Sequence, residues 1–318
     1  MPTSSLSATA SHESTAIPAI ESYPMPSQEQ IPTSRVQWTP SPSRCALLIH
    51  DMQRFFLNKY DQQQAPIPQL IEHTRKILAL AHSLQIPVFY TAQPPQQTEA
   101  ERGLLNDMWG AGINRYPEQA AICESLAPQS GDHVLKKWRY SAFKRSDFEK
   151  QLQYMGRDQL LITGIFAHIG CMATALDAFM LDIQPFFIAD ALADFSRKEH
   201  DMALEHVANR CGVCLSTSQV IHALKDSSST DKKEKEETNA RAIAELDQKV
   251  AALFGHPLDE IPENENLSWL GMDSIRLMML ADQLSQQGYH ITFADLAENP
   301  TLNHWRHLVT QQDVSMNA

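Results

Sequence analysis

The sequence predicts an α/β domain built on a mostly parallel sheet, followed by a small all-α domain of four helices. Short apolar runs alternate with longer amphipathic runs from residue 45 onward, which is typical of βαβ units. The composition changes abruptly near residue 226, where a polar and highly charged segment begins. A chain of 318 residues exceeds the usual size of a single domain, so we expect two.

Six apolar runs are predicted strands because each is short and bounded by turn residues or amphipathic segments. They are residues 45–52, 86–93, 133–138, 159–167, 185–192 and 212–217. Helices are expected between them. One of these helices is predicted to begin with a Ser-x-x-Glu capping box at Ser146 and Glu149 and to end at Gly156.

The second domain follows a predicted linker. Residues 226–240 contain no large apolar residue and are dense in charge, which favours a linker or an extended polar segment. Residues 241–318 hold 4 Lys and Arg against 11 Asp and Glu, a net charge of 4 − 11 = −7. We therefore divide the chain into a tail at 1–35, an α/β domain at 36–225, the linker, and a helical domain at 241–312.

Charge and composition exclude several classes of protein. The net charge of −12 argues against binding of nucleic acid, which needs a concentrated cationic surface. The first 35 residues are rich in Ser, Pro, Thr and Ala, with Arg35 as their only basic residue, so they match neither a secretory signal nor a mitochondrial transit peptide. No run approaches the roughly 20 apolar residues that span a bilayer. We expect a flexible tail, a cytoplasmic protein and no membrane span.

The cysteines and histidines give no sign of a redox or metal site. Cys211 and Cys214 form a C-x-x-C without a second pair, so we expect two structural thiols. His168 has no second ligand at metal spacing and is predicted to have a structural role at a helix start. His50 precedes Asp51 in the same strand and is expected to point to the opposite face of the sheet.

Three polar residues, Asp51, Gln93 and Lys137, stand at the carboxyl ends of predicted strands. Ligands of open α/β sheets bind beyond these ends, and a carboxylate beside an ammonium group can perform acid/base chemistry. From spacing alone, an Asp after an apolar strand is more often a turn residue or a helix cap, and a lysine at a strand end is usually solvated.

Five segments occur in the order found in a known family: LLIHDMQRFFL, TAQPP, ERGLLNDMWG, KKWRYSAF and LLITGIFAHIGCMATALDAFMLDI. Residues 36–222, which contain them, resemble the isochorismatase branch of the isochorismatase-like hydrolases. The resemblance implies a Rossmann-like α/β fold with a central parallel sheet flanked by helices, and a site that contains Asp51 and Lys137.

Gly170 marks a departure from the amidases of this superfamily. Nicotinamidases use an Asp, Lys and Cys triad, with the nucleophilic cysteine at the position that Gly170 fills. Cys171 follows one residue later, and on a helix that displacement turns a side chain by about 100°. The resemblance therefore implies the isochorismatase reaction, which needs no nucleophile. The alternatives are a nicotinamidase-type amidohydrolase and a carrier scaffold with a catalytically silent α/β domain.

The implied substrate, isochorismate, carries an enolpyruvyl ether that is cleaved after protonation of its terminal methylene carbon. By resemblance Asp51 is the general acid, Lys137 orients the substrate and offsets its charge, and Arg102 offers a planar fork to a carboxylate. A nearby cation favours ionised Asp51, whereas burial and the two substrate carboxylates favour the protonated acid. The other residues predicted to contact substrate are Gln93, Phe55, Trp109, Phe166 and Gly170.

Ser274 stands where a helix of the second domain is predicted to begin. Serine is a good N-cap, and a helix N-terminus also favours a phosphate group, so the residue alone leaves both roles open. The surrounding segment LGMDSIRLMML resembles the L-G-x-D-S core of acyl and peptidyl carrier proteins, and the similarity extends over residues 240–312. The resemblance implies that Ser274 receives 4′-phosphopantetheine.

The helix after Ser274 is predicted to have two different faces. The core-facing stripe consists of Leu277, Leu280, Ala281 and Leu284. Met278 lies one turn from Ser274 and therefore beside the cofactor, where methionine gives an adaptable contact. Resemblance to aryl carrier domains implies that Phe293 and Ala297 complete a docking patch, with ordinary core packing as their alternative role.

The two domains together resemble the bifunctional isochorismatase and aryl carrier proteins of catechol siderophore synthesis. The resemblance implies hydrolysis of isochorismate to 2,3-dihydro-2,3-dihydroxybenzoate and pyruvate, and carriage of 2,3-dihydroxybenzoate as a phosphopantetheine thioester, with no metal required. The implied partners are a 2,3-dihydroxybenzoate-AMP ligase, a phosphopantetheinyl transferase and the condensation domain of a nonribosomal peptide synthetase. A homodimer is also expected, because family members dimerise through the α/β domain.

Overall fold

The computed structural model describes residues 17–311, apart from the side chains of residues 228–235. The chain divides into two compact units, with the boundary between Ser228 and Ser229. Among the residues described, no helix is both long enough and apolar enough to cross a membrane.

The first unit is built on a six-stranded sheet. Its strands are β1 (Cys45–His50), β2 (Val88–Ala92), β3 (His133–Lys136), β4 (Gln159–Ile165), β5 (Gln184–Ala193) and β6 (Val213–Leu215). They lie in the order β3-β2-β1-β4-β5-β6, and every neighbouring pair is parallel. This order defines a Rossmann-like fold, in which the direction of the strand sequence reverses between β1 and β4. All six predicted strands are confirmed, with ends that differ by at most two residues.

Helices cover both faces of this sheet. They are α1 (Arg54–Leu57), α2 (Ile67–Ser83), α3 (Glu99–Arg102), α4 (Leu105–Trp109), α5 (Phe148–Tyr154), α6 (Met172–Met180) and α7 (Arg197–Arg210). Strands β1 and β4 are buried along their whole length, as expected for central strands with helices on both sides. Leu47 and Ile49 pack into the same core as α2, whereas Ala46 and Leu48 pack with α5, α6 and α7.

The N-terminal segment packs on the first unit from residue 17 onward. Ile20 and Tyr23 are buried, and the Ile20 N–H donates to the carbonyl of Lys59 at 2.7 Å. The Tyr23 hydroxyl accepts the Asp194 N–H at 2.6 Å and lies 3.2 Å from Nδ1 of His200. The prediction of a flexible tail is therefore wrong for residues 17–35, because its few apolar side chains are inserted into the core; residues 1–16 lie outside the described part.

Helix α5 begins without the predicted capping box. Its N-cap is Asp147, and the hydroxyl of Ser146 donates to the carbonyl of Ala142 at 2.6 Å. The serine hydroxyl also accepts the N–H of Phe148 at 3.4 Å instead of that of Glu149, so the box is absent. The predicted end is confirmed, since Gly156 follows the helix with φ of 63°, a conformation that glycine adopts without a steric penalty.

The polar segment predicted as a linker is helical in its backbone. Helix α8 runs over Thr217–Phe254, and the boundary between the two compact units lies within it. Residues 226–240 are therefore not extended, and their assignment as a linker stays a prediction. The buried residues that α8 contributes are Val220 and Leu224 in the first unit and Ala242, Leu246 and Val250 in the second.

The second unit is all-α, as predicted. The end of α8 packs with α9 (Ser274–Gln286), α10 (Phe293–Glu298) and α11 (Leu302–Gln311) around one apolar core. Trp305 is fully buried in that core, and its Nε1 donates to the carbonyl of Leu296 at 2.9 Å. Arg306 donates to both carboxylate oxygens of Asp247 at 2.9 Å, which joins α11 to α8.

Removal of the Tyr23 hydroxyl tests whether the N-terminal segment is part of the fold. Tyr23→Phe leaves the buried Asp194 N–H without its acceptor, so the free energy of unfolding is expected to fall by about 1 to 3 kcal/mol. Urea denaturation followed by tryptophan fluorescence measures the change. Tyr154→Phe, at an exposed tyrosine, is the matched control and should change stability by less than about 0.5 kcal/mol. Equal stability of both variants would contradict the assignment.

Candidate functional site

A cavity lies beyond the carboxyl ends of the strands, at the point where the strand order reverses. All eight residues that the sequence assigns to the hydrolase site line it: Asp51, Phe55, Gln93, Arg102, Trp109, Lys137, Phe166 and Gly170. The structure thus brings the predicted residues together, and the role of each one stays a prediction.

Asp51 and Lys137 form a buried ion pair at this cavity. Lys137 Nζ donates to Asp51 Oδ2 at 2.5 Å, and the hydroxyl of Thr91 donates to Oδ1 at 2.6 Å. Thr91 Oγ1 also accepts the N–H of Asp51 at 3.0 Å. Asp51 has φ of 51°, in the left-handed region that non-glycine residues seldom occupy. Donors from two other strand ends therefore fix the orientation of this carboxylate.

His50 lies closer to Asp51 than the alternation of a strand predicts. Its Nδ1 is 3.5 Å from Asp51 Oδ2, because the left-handed backbone at Asp51 ends the regular alternation there. The expectation that the two side chains point to opposite faces is therefore wrong. Burial, together with the charge of Lys137, lowers the pKa of His50 to about 4. The imidazole is consequently neutral near pH 7.

Gln93 is held at the cavity by the buried side chain of Gln53. The amide oxygen of Gln53 accepts the Gln93 N–H at 2.8 Å, and its nitrogen donates to the Gln93 carbonyl at 2.9 Å. The same nitrogen donates to the carbonyl of Ala120 at 2.6 Å. The side-chain amide of Gln53 therefore satisfies the backbone N–H and carbonyl of Gln93, as a neighbouring strand would, and so fixes its backbone. The sequence pattern did not indicate this role.

Arg102 is a buried cation that has no counter-ion among the described residues. It is 3% exposed, and its Nε donates to the carbonyl of Gly110 at 2.6 Å. Within the part of the chain that the structure describes, Nη1 has no hydrogen-bond partner. Burial lowers the pKa of the guanidinium. Gly112 is required beside it, because a Cβ there would clash with Nη2 and lie 2.8 Å from Cζ. Arg102 is thus positioned to bind an anionic group.

Aromatic side chains form much of the remaining wall. Phe166 contacts Phe195 with ring centroids 4.5 Å apart, and Trp109 contacts Phe195 at 5.9 Å. Nε1 of Trp109 donates to the hydroxyl of Tyr140 at 2.8 Å. The cavity is also lined by three residues that the sequence did not indicate: Tyr140, Phe195 and Ile17. Tyr140 and Phe195 follow β3 and β5, so the rule that identified Asp51 could have found them. No comparable signal marked Ile17.

His168 is paired with Asp194 and does not belong to the residues that line the cavity. The Nδ1 of His168 lies 2.5 Å from Oδ1 of Asp194, and its N–H donates to Oδ2 at 2.6 Å. Burial alone would lower the pKa of His168, but the bond to Asp194 raises it. Among the residues described, no three His, Cys, Asp or Glu side chains are grouped so that they could hold a metal ion. The five cysteines are buried and free.

Ser274 is the first residue of α9 and is exposed. The helix N-cap is Asp273, whose Oδ1 accepts the N–H groups of Ile275 at 3.1 Å and Arg276 at 2.9 Å. The N-cap role that the sequence left open for Ser274 is therefore filled by Asp273. Its hydroxyl is not committed to capping, and this geometry fits an attachment site for a phosphodiester.

The residues around Ser274 expose an apolar surface. Met278 is 53% exposed and Phe293 is 39% exposed, and Ala297 is also exposed. Core packing of Phe293 and Ala297 is therefore excluded, although their docking role is a prediction. The predicted stripe is confirmed as buried at Leu277, Leu280 and Leu284, with Ala281 partly buried. Other exposed apolar residues nearby in the sequence are Trp269, Leu270, Ile275 and Met279.

Fold and site together define a Rossmann-like hydrolase domain joined to a carrier domain. The isochorismatase domain model matches residues 45–219, and the phosphopantetheine attachment site model matches residues 244–309. The chain is 42% identical over 308 residues to an isochorismatase of Bacillus subtilis, with 95% of this chain and 99% of that protein covered. It is also 42% identical over 297 residues to enterobactin synthase component B of Escherichia coli K12, with coverage of 93% and 99%.

Comparison of structures agrees on the fold. A cysteine hydrolase from Pseudomonas syringae pv. phaseolicola 1448A superposes with a TM-score of 0.55 at 22% identity, covering 62% of this chain and 98% of that chain. The chain belongs to the isochorismatase family. It is a hydrolase of that family that also carries a phosphopantetheine-binding domain, so its cofactor is covalent phosphopantetheine.

Replacement of Arg102 tests the inference that this cation binds a substrate anion. Arg102→Met removes the charge, so kcat/KM for isochorismate is expected to fall roughly 10- to 150-fold, equivalent to about 1.5 to 3 kcal/mol. Initial rates of pyruvate release measure the effect. Arg54→Met, at an exposed arginine that does not line the cavity, is the control and should retain the wild-type value. An unchanged kcat/KM in Arg102→Met would contradict the inference.

Proposed function

We propose that the first unit hydrolyses isochorismate to 2,3-dihydro-2,3-dihydroxybenzoate and pyruvate, and that the second unit carries 2,3-dihydroxybenzoate for siderophore synthesis. One observation carries the hydrolase assignment: a buried ion pair, Asp51 with Lys137, lines the same cavity as the unpaired cation Arg102. A dianionic substrate matches that arrangement. The position that would hold a nucleophile is Gly170, so the cavity is suited to acid chemistry rather than acyl transfer.

Asp51 is the proposed general acid. Without substrate both of its carboxylate oxygens accept hydrogen bonds from Thr91 and Lys137, so the acidic proton has to be acquired with the substrate. The two substrate carboxylates favour that protonation, because they add negative charge next to a buried carboxylate. Asp51 then protonates the terminal methylene carbon of the enolpyruvyl group, which creates an oxocarbenium ion.

The rest of the reaction needs water and charge compensation. The ionised Asp51 stabilises the oxocarbenium ion and can accept a proton from the water that adds to it. The resulting hemiketal collapses to pyruvate and the hydroxyl product, so one water is consumed and no net proton is gained or lost. Lys137 and Arg102 compensate the substrate carboxylates, Gln93 contributes an amide contact, and Phe55, Trp109 and Phe166 exclude bulk solvent.

Two other functions fit the first unit less well. A nicotinamidase-type amidohydrolase needs a cysteine at position 170, and Cys171 is fully buried, where burial raises its pKa well above the usual value. A catalytically silent scaffold would not need a buried ion pair beside an unpaired arginine. Release of ammonia from nicotinamide would support the first alternative, and a lack of pyruvate release from isochorismate would support the second.

Ser274 is the proposed attachment point of the 4′-phosphopantetheine group. When bound, that group supplies a thiol that carries the aryl acid as a thioester. Asp273 satisfies the first N–H groups of α9, so the serine hydroxyl is left exposed for modification. Met278, Phe293 and Ala297 form the proposed docking patch, because they are exposed apolar residues of α9 and α10, which contact each other.

The carrier domain implies partners in siderophore synthesis. We infer a phosphopantetheinyl transferase that modifies Ser274, a 2,3-dihydroxybenzoate-AMP ligase that loads the carrier, and a condensation domain of a nonribosomal peptide synthetase that unloads it. We also infer a homodimer through the first unit. Its support is that Phe179 and Met180 on α6 and Met202 on α7 are exposed apolar side chains, and that the two helices contact each other.

Replacement of Asp51 tests the acid. Both Asp51→Ala and Asp51→Asn are expected to lower kcat for pyruvate release by roughly 10²- to 10⁴-fold, because general acid catalysis contributes about that factor. Coupling pyruvate to NADH oxidation by lactate dehydrogenase measures the rate, and circular dichroism confirms folding. Asp259→Asn, at an exposed aspartate of the second unit, should keep the wild-type rate. A folded Asp51→Ala protein with full activity would show that another residue is the acid.

Replacement of Ser274 tests the attachment point. After incubation with coenzyme A and a phosphopantetheinyl transferase, the intact mass of the wild-type chain is expected to rise by one phosphopantetheinyl group. Ser274→Ala should show no rise, because it lacks the hydroxyl that becomes phosphorylated. Ser285→Ala, on the same helix and also exposed, should be modified like the wild type. Modification of Ser274→Ala would place the attachment elsewhere.

A further inference from the structure

Gly170 lines the cavity without any backbone reason to be glycine. Its φ does not lie in the left-handed region, in contrast to Gly164 before it, which has φ of 112°. The reason for glycine is space. A Cβ on residue 170 would clash with Cε1 of His50 and lie 3.1 Å from its Nε2 and 3.2 Å from its Nδ1. The imidazole therefore occupies the place that any side chain at position 170 would need.

The imidazole of His50 has little freedom to move away. It is fully buried, its Nδ1 lies 3.1 Å from the carbonyl of Ile165, and its Nε2 lies 3.3 Å from Oγ1 of Thr174. Because the Ile165 carbonyl can only accept, Nδ1 carries the ring proton. Thr174 is fixed in turn, since its Oγ1 donates to the Gly170 carbonyl at 2.7 Å and accepts the Ala142 N–H at 3.0 Å.

The contact between His50 and Gly170 lies next to the ion pair of Asp51 and Lys137, so a change in it would affect the proposed acid. Gly170, Asp51 and Lys137 line the same cavity, and Nδ1 of His50 is 3.5 Å from Asp51 Oδ2. A side chain at position 170 that displaced the imidazole would push it against the Asp51 carboxylate, or break its hydrogen bond to the Ile165 carbonyl and its contact with Thr174. The geometry of the acid and the absence of a side chain at position 170 are therefore linked through His50.

We propose that His50 determines the type of reaction at this site, because its imidazole fills the volume of a side chain at position 170 and so prevents a nucleophile from standing beside Asp51 and Lys137. His50 is a positioning residue and not a catalytic one, since it does not line the cavity. This inference rests on the proposed function only in naming the reaction that remains available. The steric relation between His50 and Gly170 is independent of any substrate.

A double-mutant cycle on stability tests the steric relation. Gly170→Ala is expected to lower the melting temperature by roughly 2 to 12 °C, because overpacking of a rigid core is destabilising. In the His50→Ala background, Gly170→Ala should cost less than half of that shift, since the clash is gone. If His50→Ala does not fold, His50→Ser replaces it, because its hydroxyl can still bond locally. Equal shifts in both backgrounds would overturn the proposal, as would an unchanged melting temperature in Gly170→Ala.

A labelling experiment tests the exclusion of a nucleophile. The double variant His50→Ala/Gly170→Cys is expected to react with iodoacetamide at one more thiol than His50→Ala, as measured by intact mass under native conditions. Gly170→Cys alone should either lower the melting temperature or gain no reactive thiol. A stable Gly170→Cys protein with a reactive thiol and unchanged pyruvate release would overturn the proposal. Failure of the wild-type protein to release pyruvate would overturn the proposed function alone, because melting and labelling do not depend on isochorismate.

Discussion

The buried ion pair between Asp51 and Lys137 constrains the carboxyl ends of three neighbouring strands, β1, β2 and β3. Removing two charges from water is costly, so a buried pair persists only where close geometry and further hydrogen bonds compensate the desolvation. The Thr91 hydroxyl donates to the Asp51 carboxylate and accepts the Asp51 N–H, which links β2 to the end of β1. The left-handed backbone at Asp51 is stabilised by the same contacts. Three strand ends are thus joined by one cluster of charge and hydroxyl groups.

Two of the cations that line the cavity, Lys137 and Arg102, differ in their partners. Lys137 already has a partner in Asp51, whereas Arg102 is buried against backbone carbonyl and glycine. An unpaired buried charge is unfavourable, and a bound anion relieves that cost. The free energy stored at Arg102 therefore favours a substrate with a carboxylate at that end. The ion pair, in contrast, is complete before binding and is available for chemistry once a second negative charge approaches it.

Sequence predicted the parts of this site that follow general rules. Strands appear as continuous apolar runs because both faces are covered. The strand-end rule made Asp51, Gln93 and Lys137 candidates, and the resemblance to the family selected them as site residues. The misses depend on contacts far apart in the chain. Ile17 and Tyr23 lie in a segment rich in Ser and Pro, whose composition predicts a tail, yet their side chains reach the α/β unit. The nearness of His50 to Asp51 followed from one unusual φ, which no residue pattern encodes.

Two adjacent residues at the start of α9 in the carrier domain, Asp273 and Ser274, have different roles. A serine N-cap would direct its hydroxyl at the first N–H groups of α9, and the same oxygen could not then be presented to a modifying enzyme. Asp273 accepts those N–H groups instead, and its negative charge also suits the helix dipole. Ser274 lies one residue further, exposed at the first helical position. The Asp-Ser pair therefore separates stabilisation of the helix, by Asp273, from the proposed attachment of the cofactor at Ser274.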